Sequence, residues 1–261
     1  MANSRDNAIV LALHAPETEH TFQELKEIFG QERAVHINKD LYVQSYKLSE
    51  SFREAVKMIA YSKTMKHPDL TWLSNEDPGF LECHGKNYSE MVYMASNLAF
   101  TAGCKKAVFI NHLCPFITTQ HLEFAFSKIS EKNCVLGASP EGRVYLAGFT
   151  RENLKIMENF SLWQENYLQE MLEKAKRNKS GVTGMEDLVI IKDEITLKKW
   201  LDSKNSSSSV FSEILKNAEN GIIKEHHKRK RKEKQEEFKP QQNEETKSGD
   251  NGQIKETTEG Q

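Results

Sequence analysis

The sequence predicts an α/β protein with a mostly parallel, Rossmann-like sheet and helices on both faces. Short apolar runs, residues 8–13 and 107–110 first among them, have the unbroken hydrophobicity of strands buried on both sides. Amphipathic stretches with helical spacing alternate with those runs. Proline and glycine punctuate the boundaries, as at Pro16, Gly30, Gly103 and Pro115.

Taken in order, residues 8–13 predict the first strand, and residues 21–29 a helix ending at Gly30, with Phe22, Leu25, Ile28 and Phe29 on one face. Residues 35–46 fit neither period. Residues 51–61, with Phe52, Ala55, Val56, Ile59 and Ala60, predict an amphipathic helix. A polar loop over 74–79 precedes a strand at 80–83, and a helix spans 90–102. A strand at 107–110 broken by Pro115, a helix from Thr118 or Thr119 to about Ile129, and strands at 134–137 and 144–147 follow. Residues 154–175 predict a helix, 188–191 a last strand, and 196–201 the start of a final helix.

The chain has 261 residues, 36 Lys and Arg against 38 Asp and Glu, and 38% hydrophobic residues, which is enough for a sizeable core. No apolar run approaches the ~20 residues of a membrane span and no secretory leader opens the chain, so a cytoplasmic location is expected. Cys83, Cys104, Cys114 and Cys134 form no C-x-x-C pair, which predicts reduced thiols rather than a disulfide framework or structural zinc. Walker, dinucleotide-fingerprint and serine-elbow motifs are missing from the sequence, which argues against ATPase, dinucleotide and hydrolase chemistry.

Three segments are expected: an α/β domain over 1–202, a linker and basic helical extension over 203–234, and an acidic, polar, disordered tail over 235–261. Within the extension, Lys228, Arg229, Lys230, Arg231 and Lys232 form a cationic block suited to a polyanion, or to a solvated helix with no partner.

Ligands of open parallel sheets bind at the carboxyl ends of the strands, which directs attention to the loops 111–118 and 139–143. Ala15-Pro16 and residues 25–30 keep the spacing of an A-x-P-x-P-G-x-x-K-T-R-L motif, with Phe22, Gln23 and Glu24 at its Lys, Thr and Arg. Ile110-Asn-His-Leu-Cys-Pro115 is similar to I-G-S-D-C-P, with Leu113 at its acid. Glu141-Gly-Arg-Val-Tyr-Leu-Ala-Gly148 follows D-G-G-Y-Y-L-x-G with one glycine lost, and Gly85-Lys-Asn-Tyr-Ser-Glu-Met91 follows G-x-D-L-G-E-R-M with Asn87 for its aspartate. Trp163 matches the tryptophan of W-S-T, and Asp193 and Thr196 match two positions of D-x-D-T. Over roughly residues 8–202 these motifs resemble a bacterial glycosyltransferase-A-like family of unknown function, distantly similar to nucleotide-sugar and nucleotidyl transferases. The resemblance implies that Phe22, Gln23 and Glu24 stand where Lys, Thr and Arg would contact phosphate, and that Leu113 replaces the acid that would hold a metal.

Framework positions therefore match, whereas phosphate, metal and acid positions are replaced. This implies a catalytically degenerate transferase-like scaffold that binds a protein or polyanion, with no cofactor. The alternative is an active nucleotide-sugar or nucleotidyl transferase using Mg or Mn, with Glu141 and Asp193 as catalytic acids and Arg143 as a phosphate contact. In either case Asn111, His112, Cys114, Arg143, Tyr145 and Trp163 are expected to line the cleft. A third arrangement, His112, Cys114 and His121 as a metal or nucleophilic site, competes with incidental roles for all three.

Overall fold

The computed structural model describes residues 4–83 and 87–203. The expected basic block and acidic tail lie outside them. Seven strands form one sheet: β1 (Asn7–His14), β2 (Val56–Ser62), β3 (Leu81–Glu82), β4 (Lys106–Ile110), β5 (Asn133–Ala138), β6 (Val144–Phe149) and β7 (Gly181–Gly184). Their order is β3-β2-β1-β4-β6-β5-β7. All neighbours are parallel except at β6, which runs antiparallel to both β4 and β5.

Ala8 to Leu13 are each no more than 2% exposed, and all of β6 is buried. Successive strand residues face opposite sides, so burial of every one means that both faces are covered. The helices are α1 (Gln23–Phe29), α2 (Gln31–Ser51), α3 (Tyr88–Thr101), α4 (Thr119–Lys128), α5 (Tyr167–Arg177) and α6 (Glu194–Ser203). Gly30 ends α1 and starts α2 in a single residue at φ +80°, a conformation that glycine adopts without strain. Thr118 and His121 close a reciprocal cap on α4. Among the described residues no helix is long and apolar enough to cross a membrane, and the four cysteines are buried free thiols.

One open segment is resolved and three expectations are corrected. The segment without a clear period, 35–46, lies inside the 21-residue helix α2. The helix expected over 51–61 is largely strand β2, whose central Ile59, Ala60 and Tyr61 are buried between β1 and β3. The helix expected over 154–175 is two pieces, a 3-10 turn at Arg151–Met157 and then α5, because Asn159 and Asn166 take left-handed backbone angles between them. Residues 188–191 are not a strand. Ile190 and Ile191 are buried there, while the last strand is the polar Gly181–Gly184 beside β5.

Candidate functional site

Strands β1, β2 and β4 run parallel and end side by side, bringing His14, Asn111 and His112 to one rim of the sheet. Asn111 ends β4. Its N–H donates to the Tyr145 carbonyl (2.8 Å) and its side-chain amide to the Val144 carbonyl (3.1 Å), while its Oδ1 accepts from the Leu113 N–H (3.0 Å). The whole side chain is thus consumed in turning the chain. Leu113 is fully buried and its carbonyl accepts from the Ile191 N–H (2.8 Å).

His112 is 2% exposed, with Nε2 3.0 Å from Asn38 Oδ1 and Nδ1 3.5 Å from the Tyr88 hydroxyl. Tyr42 lies 4.2 Å from it between ring centroids, and Phe22 stacks on it at 5.7 Å and 22°. Phe22 also meets His14 at 5.7 Å, Tyr88 at 5.5 Å and Trp163 at 6.0 Å, edge to face. Burial, and then the nearness of His14, push the His112 imidazole well below its ordinary range. Burial, and then His20, bring His14 down to about 4, so both rings are neutral near pH 7.

The other expected cleft residues are tied elsewhere. Cys114 is buried, and burial pushes its thiol up to about 12, which leaves no thiolate for attack or for metal. Tyr145 packs its ring where a Gly137 side chain would sit and donates its hydroxyl to the Glu186 carbonyl (2.7 Å). Arg143 pairs with Glu165 at 2.9 Å. Glu141 is paired with Lys192, and that hydrogen bond lowers its carboxyl to about 2. Asp193 accepts from the Thr196 N–H (2.7 Å) and hydroxyl (2.8 Å) at the start of α6, while Thr196 Oγ1 accepts from the Asp193 N–H. That is a helix cap. His121 accepts from the Thr118 N–H and pairs with Glu186 at 2.9 Å, away from the partners of His112.

A divalent ion, which the motif resemblance implies for an active transferase, finds no oxygen cradle here. Leu113 supplies no side-chain oxygen, and the Asn111 amide is already bonded. Among the described residues no group of three or more His, Cys, Asp or Glu could hold a metal. The residues present do not fit the ion.

The sequence pattern points to His112 and Trp163 but gives no role to His14, Asn38, Tyr42 or Tyr88. The replacement of a lysine by Phe22 was the one visible signal for this ring cluster.

Residues 48–162 match the model of a family described as an uncharacterized protein conserved in bacteria (DUF2064). The DUF2064 match spans β2 to β6 and so includes the carboxyl end of β4. No curated protein matches. Among solved structures, one from Desulfovibrio desulfuricans G20, described as a candidate nucleotide-diphospho-sugar transferase, superposes with a TM-score of 0.66 at 19% identity, covering 84% of this chain and 97% of that one. A nucleotidyl transferase from Methanothermobacter thermautotroptrophicus does so with a TM-score of 0.50 at 10% identity, covering 76% and 96%. At these identities the likeness establishes the transferase-like fold that the motif resemblance implied.

Proposed function

We propose that this chain is a degenerate transferase-like scaffold that acts by binding rather than by metal-assisted group transfer. One observation carries the reading: the ring of Phe22 stacks on His112 beside the buried Leu113, where the motif resemblance implies a phosphate-binding lysine and a metal-binding acid. Stabilising a leaving diphosphate takes fixed positive charge or a cation aimed at the developing negative charge. Phe22, Leu113 and two neutral histidines offer neither. Glu141 is neutralised by Lys192, Arg143 by Glu165, and Asp193 is spent on a helix cap.

The test is thermal stability of the full-length protein with a panel of nucleotides and nucleotide sugars, with and without manganese. A ligand at a hundred times its dissociation constant would stabilise the native state by about 2.7 kcal/mol. The expected result is a flat panel. A manganese-dependent shift that disappears in Glu141→Gln would overturn the reading in favour of an active nucleotide-sugar or nucleotidyl transferase.

A further inference from the structure

Beneath the Phe22 ring lie buried polar atoms without a protein partner. Asn38 is fully buried on α2; its Oδ1 meets His112, its Nδ2 meets no acceptor in full hydrogen-bonding geometry, and the Tyr42 hydroxyl that interacts with Asn38 already accepts from the His14 N–H (3.3 Å). His14 Nδ1 and Trp163 Nε1 are likewise buried and unpartnered. Native interiors rarely keep such atoms, because each gives up water and receives nothing in return. Here three occur around one ring.

On its other side Phe22 faces space. A cavity of about 320 Å³ is lined by Phe22, Tyr88, Phe160, Leu162 and Trp163 together with neutral side chains such as Asn87. His14, Asn38 and His112 do not line it, so Phe22 and Tyr88 form the partition between the open cavity and the unpartnered atoms of His14 and Asn38, while Trp163 lines the cavity itself. Phe22 is the N-cap of α1, just after a 3-10 turn (Thr18–His20); its carbonyl accepts from the Lys26 N–H (3.2 Å), and its ring is only partly buried. Rotation of the ring about its side-chain bonds leaves that helix bond intact.

We propose that Phe22 gates a small-molecule site whose floor is His14, Asn38 and His112, and that this site takes an uncharged planar ligand carrying both a hydrogen-bond donor and an acceptor. Among the described residues no Lys, Arg, Asp or Glu is on the floor or lines the cavity, so an ionic ligand would lose its hydration without gaining a partner from them. A flat ring can take the place of the Phe22 ring on His112, and an amide at its edge can serve both the Asn38 Nδ2 donor and His14 Nδ1. The inference rests on the reading of the site as free of phosphate and metal chemistry.

The experiment uses two isosteric probes, benzamide and benzoate, titrated into the full-length protein and followed by the side-chain amide signal of Asn38 and the indole N–H signal of Trp163 in nitrogen-15 correlation spectra. Benzamide is expected to shift both signals and benzoate neither. Phe22→Ala removes the gate and raises benzamide affinity about tenfold, since a mostly closed site binds weakly in proportion to its open fraction. Asn38→Ala lowers it about fivefold, the effect of one lost hydrogen bond. Should Asn38→Ala not fold, the Asn38 signal in the unaltered protein still reports contact. Equal shifts from benzoate would overturn the choice of an uncharged ligand. Silence from both probes, in the unaltered protein and in Phe22→Ala, would overturn the site itself. A manganese-dependent nucleotide shift would instead strike at the proposed function, and it is read in a separate assay.

Discussion

His14 sits at the end of β1 with its imidazole brought down to about 4, first by burial and then by His20. In the unfolded chain the same ring titrates near 6.5. Between those values the unfolded state binds a proton that the folded state does not, so stability falls as pH falls from about 6.5 to about 4, by as much as about 3 kcal/mol. His112 is shifted in the same direction and adds to the loss. Urea midpoints at pH 7 and pH 5 check this, with His14→Asn expected to show the shallower dependence. A second residue-scale prediction concerns Gly137. A Cβ there would lie 2.3 Å from Tyr145 Cζ, so Gly137→Ala must displace a buried ring whose hydroxyl is bonded to the Glu186 carbonyl. Overpacking of this kind destabilises by about 1–3 kcal/mol, measurable as a lower denaturant midpoint. At this scale the sequence exposed Phe22, Leu113 and Arg143 as departures from a motif. The orphaned atoms of Asn38 and His14 were not legible, because the partners of a buried polar atom come from distant segments.

At the scale of elements, α6 tests the role of Asp193. Its carboxylate accepts from the Thr196 N–H and hydroxyl, so Asp193→Ala is expected to cost about 1 kcal/mol of stability, whereas Asp193→Asn, which keeps the acceptor, changes little. Thermal unfolding of the two variants distinguishes a cap, for which Asn suffices, from a carboxylate kept for its charge. Helix α2 shows why residues 35–46 were hard to read. Its buried positions, Ala34, Ile37, Asn38, Leu41, Tyr42, Ser45, Tyr46 and Ser49, follow helical spacing without a gap, but Asn38 and the two serines make the stripe partly polar. Counting only apolar residues breaks the period. Strand β2 fails in the opposite way: a strand covered on both faces is apolar at consecutive positions, and its apolar residues also satisfied a helical template. The cap at Thr118 and the stop at Gly30 were legible because they depend on a few adjacent residues.

At the scale of the whole molecule, the described residues carry the transferase-like sheet, and the cationic block Lys228 to Lys232 lies beyond them. If that block is the polyanion contact, replacing Lys228, Arg229, Lys230, Arg231 and Lys232 by Ala in the full chain lowers the salt dependence of duplex DNA binding by up to about 4.5 in the log–log slope, from about 0.9 per phosphate contact. An unchanged slope assigns the binding elsewhere. The sequence by itself determined the α/β class, the first strand, the glycine stop of α1, the capped start of α4 and the loss of motif charges, since these rest on local periodicity and residue chemistry. Only the tertiary structure decided that β6 runs antiparallel, that β2 is a strand, that the last strand is the polar β7, and that Phe22 covers His112. Pairing direction, burial on two faces and ring contact all join residues far apart in the chain. Spacing along one segment does not encode which distant segment will lie against it.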